Sequence, residues 1–319
     1  MTPEPVLSCF VVGFVANRRS AVETETKRRG LAWRKTGSYK GDKMIKFSAF
    51  ADEIGDDLQL QMDVCQANGV RCIDVRGIDG KNVSKMTLAE VAQYKTQMSD
   101  RGFSVPCVGS PIGKISIDDD FEEHLDLLKH CCDVAKAFDT DRIRIFSFYP
   151  SKGRQICDQR EEVMERMSRM VEVAEATEVT LLHENESAIY GETVEGVKDL
   201  FETIQSKRLE GIFDPANFVV AGIAPYDDAW TQGLAELTDY FHIKDKRPED
   251  KACVPAGEGA GQVREILADA KARQWSGYMT LEPHMAAAGQ FSGFSGPELF
   301  SKAAAGLKRL CDEVGLEHE

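Results

Sequence analysis

The stretch 180–284 opens with TLLHEN (180–185) and repeats that design in GIFDPAN (211–217), YFHIKD (240–245) and YMTLEPH (278–284). Each run is short and apolar, and each stops at a residue able to ligate a metal: Glu184, Asp214, His242 and Glu282. These residues stand 30, 28 and 40 positions apart. One strand, one helix and two loops occupy roughly 30 residues. A feature that returns once per strand–helix unit, always where the strand stops, predicts one site assembled from successive strand ends. A barrel of parallel strands places its chemistry there.

The same alternation extends outward. Short β-rich runs are expected at Lys46–Ala51, Cys72–Arg76, Ser104–Gly109, Arg142–Phe146, Thr180–His183, Gly211–Phe213, Tyr240–Ile243 and Tyr278–Leu281. Segments of helical period lie between them. Asp57–Asn68 ends at Gly69, Thr87–Arg101 ends at Gly102, and Phe121–Phe138 carries Leu125, Leu128, Cys132 and Val134 on one side. Further helices are expected at Arg160–Thr177, Thr193–Ile204, Asp228–Leu237, Val263–Arg273 and Pro297–Val314. Residues 247–262 (RPEDKACVPAGEGAGQ) form a long Gly/Pro-rich loop of the kind that carries function. Eight β/α units predict an α/β fold, a single (β/α)₈ TIM barrel over residues 44–319. An open doubly wound sheet is the competitor, but no GxGxxG follows the first strand. Such a sheet also gathers its site at one switch point rather than from four consecutive strands.

Residues 1–43 differ from the rest. An apolar run, Val6–Ala16, precedes a basic stretch, the reverse of a secretory signal. This segment is expected to be a disordered N-terminal extension. It carries nine Lys/Arg against four Asp/Glu, so the net charge of −14 leaves about −19 on the remainder. A body that acidic repels phosphate backbones, which argues against nucleic acid as a partner. No apolar run reaches the ~18 residues of a membrane span. Nine cysteines without a CxxC pair suggest buried thiols and a cytoplasmic location.

Three carboxylates and an imidazole make an oxygen-rich donor set. It suits one divalent ion, Mn²⁺ first, with Mg²⁺, Co²⁺ or Zn²⁺ as alternatives. Other strand ends add polar residues to the same ring. Arg76 and Lys114 could meet an anionic group or pair with Asp52, Glu53 or Asp79. Asn217 could reach substrate or a metal ligand, and Lys244 shares the inward face of His242. His183 points away from Glu184, whereas Glu186 points with it.

From Met44 onward the chain resembles the xylose-isomerase-like barrel superfamily, in its sugar-phosphate isomerase/epimerase branch. HENE (183–186), FDPANF (213–218), FHIKDK (241–246), GEG (257–259) and TLEPH (280–284) carry the resemblance, with RGIDGKN (76–82) and SPIGK (110–114). It implies that Glu184, Asp214, His242 and Glu282 hold one divalent ion. Many relatives have a His three residues after the Asp, where this chain has Asn217. Ketose epimerases have an Arg beyond the His, near the place of Arg247. The implied activity is isomerisation or epimerisation of a small sugar or sugar derivative through a metal-stabilised enediolate, with Glu184 and Glu282 as the proton-transfer pair. Substrate contacts are expected from Arg76, Lys114, Asn217, Lys244 and Arg247. Dehydration of an inosose-like keto-polyol would use the same site, and a non-catalytic sugar-binding barrel is the reading from another class. A related multi-zinc endonuclease needs many histidines; this chain has six, of which His124 and His130 fall in an expected helix. The partner is therefore a small carbohydrate, with homo-oligomerisation left open.

Overall fold

The computed structural model describes residues 44–285 and 295–319. The proposed extension 1–43 lies outside the described residues. Seven parallel strands follow one another in space: Cys72–Ile73, Lys46–Ala49, Tyr278–Leu281, Thr238–Ile243, Leu209–Phe213, Thr180–Glu184 and Arg142–Ile145. The two outermost strands are joined through segment 104–108. Cys72 and Val75 bridge to Ser104 and Val108 on one side, and Val108 bridges to Ile143 on the other. The sheet therefore curls into a barrel.

Eight regular strands were expected from the pattern, and the third is reduced to isolated bridges. Pro106 lacks the N–H that a ladder needs, which breaks pairing in the middle of Ser104–Gly109. The first and second strands are also shorter than expected. Beyond Ala49 the chain tightens into a single turn, Ala51–Glu53, which aims Asp52 and Glu53 at the barrel mouth. The helix expected over 228–237 is instead two short turns, Pro225–Trp230 and Leu234–Leu237. A short helix that the periodicity did not reveal, Pro215–Val220, starts directly after Asp214.

The other helices follow their local chemistry. Asp57 caps Leu58–Ala67 by accepting the Leu60 N–H at 2.7 Å. Thr87 and Glu90 close a reciprocal capping box on Leu88–Asp100. Asp120 caps Phe121–Ala137. The apolar faces of these helices bury Met62, Cys65, Val91, Met98, Leu128 and Val134 against the outside of the strands. Among the described residues the eight cysteines are free thiols. No described helix is long and apolar enough to cross a membrane.

Inside the barrel, beneath the strand ends, lies a polar layer. Asp74 accepts hydrogen bonds from Ser48 Oγ (2.7 Å), Tyr240 Oη (2.8 Å) and Thr280 Oγ1 (2.9 Å). Three hydroxyl donors from three strands satisfy a carboxylate that would otherwise be costly to bury.

Candidate metal centre

Glu184, Asp214, His242 and Glu282 come from four neighbouring strands and meet at the barrel mouth. All four are buried, and one ligating atom from each lies within 4.8 Å of the others. Strand alternation explains the convergence. His242 is paired in register with Thr280, two residues before Glu282; Phe213, just before Asp214, pairs with Phe241; and Glu184 pairs with Ile212, two residues before Asp214, so all four positions share one face of the sheet.

Each carboxylate has one oxygen anchored from outside the cluster and turns the other inward, where Arg144 reaches Glu184 Oε2 and Lys244 reaches Glu282 Oε2, both at 3.4 Å. Glu282 Oε1 accepts from Arg76 Nη1 at 2.9 Å, while its Oε2 lies 3.6 Å from His242 Nδ1. Glu184 Oε1 accepts from Asn217 Nδ2 at 3.3 Å, and its Oε2 lies 3.1 Å from His242 Nδ1. Asp214 caps the helix that follows it, its Oδ1 accepting the Asn217 N–H at 3.0 Å, which leaves Oδ2 free to face inward. The backbone N–H of Asp214 is itself held by Asn185 Oδ1 at 2.8 Å. Lys244 Nζ stands 2.9 Å from Asp214 Oδ2 and 3.4 Å from Glu282 Oε2. Even so, Asp214 Oδ2 and both ring nitrogens of His242 are buried without a hydrogen bond of acceptable geometry.

These features fit a divalent ion. Polar atoms this deeply buried are normally hydrogen-bonded, and in two of the four converging residues, Asp214 and His242, such atoms are not. The charges point the same way. Asp52, Glu53, Glu184, Asp214 and Glu282 supply five carboxylates, whereas Arg76, Arg144 and Lys244 supply three cations. With every carboxyl ionised and the imidazoles neutral the deficit is two positive charges, which protons on Asp214 and His242, both shifted toward their protonated forms, also lessen. Burial pushes the Asp214 carboxyl up to about 8; Lys244 opposes this, and the Glu184 and Glu282 carboxylates add to it. A hard, oxygen-rich set with one imidazole suits Mn²⁺, Mg²⁺, Co²⁺ or Zn²⁺.

The residues around the four donors are distributed differently from a simple substrate ring. Arg76 uses all its edges on carboxylates, with Nε on Asp52 (2.7 Å), Nη2 on Glu53 (2.9 Å) and Nη1 on Glu282. Asn217 also has its amide engaged, by Glu184 and by the Asn185 carbonyl at 2.8 Å. Lys114 pairs with Glu186 at 3.0 Å over the ring of Phe146. Arg247 pairs with Asp250 at 2.6 Å on an exposed turn. His183 packs away from the mouth, its Nε2 3.0 Å from Ser147 Oγ.

Two participants were not singled out from sequence. Arg144 is buried with Nη1 3.4 Å from Glu184 Oε2 and 3.9 Å from Glu282 Oε1, and its other nitrogens reach the carbonyls of Gly109 and Ser110. Its signal was a charge at an inward position of RIRIF (142–146). Phe50 is the second. Its ring lies under the Arg76 and Arg144 guanidinium groups at 4.7 and 4.9 Å and edge-on to His242 at 4.9 Å.

A family model described as xylose isomerase-like TIM barrel matches residues 46–312. Among solved structures, the chain is similar to a probable 3-DHS dehydratase, AsbF, involved in petrobactin synthesis in Bacillus anthracis. That match has a TM-score of 0.67 and 17% identity, and covers 82% of this chain and 98% of that one. A D-tagatose 3-epimerase-like protein gives a TM-score of 0.67 and 16% identity, with 85% and 98% covered. The IOLI protein, solved with a binding zinc atom, gives a TM-score of 0.67 and 14% identity, with 85% and 99% covered. At these identities the likeness is one of fold. No curated protein matches the chain.

Proposed function

The chain belongs to the xylose isomerase-like TIM barrel family, and from that premise we propose that it is a divalent-metal-dependent isomerase or epimerase of a small sugar or sugar derivative. The observation that carries this reading is the shared posture of Glu184 and Glu282. Each has one oxygen tied from outside the cluster, Glu282 by Arg76 and Glu184 by Asn217, and turns the other, which Lys244 or Arg144 also reaches, to the same donor cluster. The structures of similar fold include a probable dehydratase, an epimerase-like protein and L-ribulose 3-epimerase, which supports carbohydrate-type chemistry at such a site.

Glu184, Asp214, His242 and Glu282 would hold the ion. When bound, it would polarise a carbonyl and an adjacent hydroxyl and so acidify the C–H between them. Glu184 and Glu282 would handle that proton. One takes it as general base through its inward oxygen, and the electron pair of the broken C–H bond moves toward the carbonyl oxygen. The other returns a proton. Return to the opposite face of the same carbon epimerises it, and return to the neighbouring carbon exchanges aldose and ketose. Arg144, near both glutamates, favours their ionised forms and lies where negative charge develops. Burial of the whole cluster excludes water that would compete for the proton.

The test is isotope entry. Protein loaded with Mn²⁺ or Mg²⁺ is incubated in D₂O with ketoses, inososes and their phosphates, and deuterium is located by mass spectrometry. Exchange is expected at the carbon beside the carbonyl, and Glu282→Gln or a chelator should abolish it. Exchange that persists in Glu282→Gln would remove that residue from the proton-transfer pair. Loss of water from an inosose would move the enzyme to the dehydratase class. A metal-loaded protein that exchanges no substrate would favour a binding barrel.

A further inference from the structure

The Lys244 ammonium lies against the two carboxylate oxygens that no other protein donor anchors, Asp214 Oδ2 and Glu282 Oε2, at 2.9 and 3.4 Å. Both are among the oxygens that face the donor cluster. The contact with Asp214 Oδ2 is the closer of the two, a buried ion pair. An ion that ligates the same oxygen at about 2.1 Å would lie no more than about 5 Å from the ammonium in its present place. Like charges that close, in a buried pocket, repel strongly.

The backbone around Lys244 is not free to relieve that repulsion. The next residue, Asp245, accepts four backbone N–H bonds, from Lys246 (2.8 Å), Gly257 (2.8 Å), Gly259 (3.0 Å) and Gly261 (2.7 Å). A Cβ at Gly259 or Gly261 would meet Asp245 Oδ1 at 2.3 or 2.7 Å, so the GEGAG segment is moulded onto this carboxylate. The strand end is therefore fixed, and only the four-carbon stem of Lys244 can move.

We propose that Lys244 is a resident counter-cation of the metal centre: its ammonium neutralises Asp214 and Glu282 in the metal-free protein and is displaced from them when a divalent ion binds. The ion and the ammonium are alternative occupants of one pair of oxygens. Metal loading then releases a tethered cation inside the mouth, within electrostatic reach of Glu186. This rests on the metal reading of the four donors.

Competition has a consequence opposite to that of a supporting residue. Removing the ammonium should tighten metal binding. Titration of the full chain with Mn²⁺ and Zn²⁺ is compared for wild type, Lys244→Met, Lys244→Gln and Lys244→Arg. Lys244→Met and Lys244→Gln are expected to bind the ion at least tenfold more tightly, and Lys244→Arg no more tightly than wild type. The metal-induced rise in Tm should also be larger in the two neutral variants, because their metal-free forms leave Asp214 without its counter-charge and Glu282 with Arg76 and Arg144 alone. If Lys244→Met loses its fold without metal, Lys244→Gln, which retains a donor at the site, supplies the same comparison. Wild type that binds the ion, with neutral variants binding it equally or more weakly, overturns the exchange alone. No binding of Mn²⁺ or Zn²⁺ by wild type or the neutral variants would sink the metal reading and the exchange together.

Discussion

At the scale of residues, the site depends on which oxygen of each carboxylate is held. Arg76 illustrates this. As a substrate contact it would need a free edge, but Asp52, Glu53 and Glu282 take all three. Its geometry is that of a residue that sets Glu282, with Asp52 and Glu53 fixing the guanidinium in turn. Lysine keeps the charge but lacks the planar fork, so it can serve only one or two of these carboxylates. Arg76→Lys should weaken divalent-ion affinity by about 10- to 100-fold, the usual effect of losing a partner of a metal ligand. Calorimetric titration of the ion checks this without reference to turnover. Unchanged metal affinity with a raised KM would return Arg76 to substrate binding. The four donors were legible in sequence because each ends an apolar run at a repeat of the β/α unit. The second tier was not, because Arg76, Asn217 and Arg144 reveal their roles only through the oxygen each one holds. Asn217 shows the limit well: three residues after Asp214 it is a capping position, and the same spacing puts its amide against Glu184.

At the scale of elements, the loops are built by buried polar side chains rather than by apolar packing. Segment 110–114 is an example. Gly113 adopts φ +86°, and a Cβ there would meet the Phe146 carbonyl oxygen at 2.0 Å, so only glycine fits. Its N–H donates to His124 Nε2 at 2.8 Å, from the first turn of Phe121–Ala137. His124 must therefore be neutral with its proton on Nδ1. Burial and the Arg166 guanidinium hold its pKa down at about 4. The unfolded chain would take up this proton near pH 6.5, before the folded one does. The stability that His124 contributes is complete above about pH 6.5 and is lost as pH falls toward 4. The full shift corresponds to about 3 kcal/mol, which screening at the partly open edge reduces to about 2 kcal/mol. Urea midpoints of wild type and His124→Gln, measured at pH 7 and pH 4.5, should show a smaller pH dependence in the variant, whose amide oxygen still accepts the Gly113 N–H. Equal slopes would show that His124 stays neutral in both states or titrates normally in the fold. Periodicity identified the helix carrying His124 but could not foresee the bond, because the partners meet only once the loop folds back. Likewise Pro106 was visible in the third strand, yet its effect depended on whether that strand had to carry a complete ladder.

At the scale of the whole molecule, the barrel, joined round through segment 104–108, is closed off at its two ends in different ways. Near the chain's carboxyl end, residues 317–319 run beside the first strand: Ile45 N donates to Glu317 O (3.2 Å), Phe47 N to Glu319 O (3.1 Å), and Glu319 N to Ile45 O (2.9 Å). At the mouth, four strands bring together carboxylates whose charge the surrounding cations do not balance. The first closure is made of backbone hydrogen bonds and forms with the fold. On the proposed metal reading the second takes a charge from outside, and the stability of the barrel would then depend on the ion. An ion that binds the folded chain but not the unfolded one stabilises it by about 2.7 kcal/mol at a hundredfold excess over Kd. In a barrel of this size that amounts to a rise of roughly 5 °C in Tm. Chelator-treated protein should melt about that much lower than protein given Mn²⁺, and Asp214→Asn should abolish the difference. The fold of the variant should survive, since an Asn side-chain oxygen can still accept the Asn217 N–H that Asp214 Oδ1 accepts. A Tm that does not respond to any divalent ion would mean that the three cations already at the mouth suffice for the five carboxylates, with a proton on Asp214 helping to make up the balance.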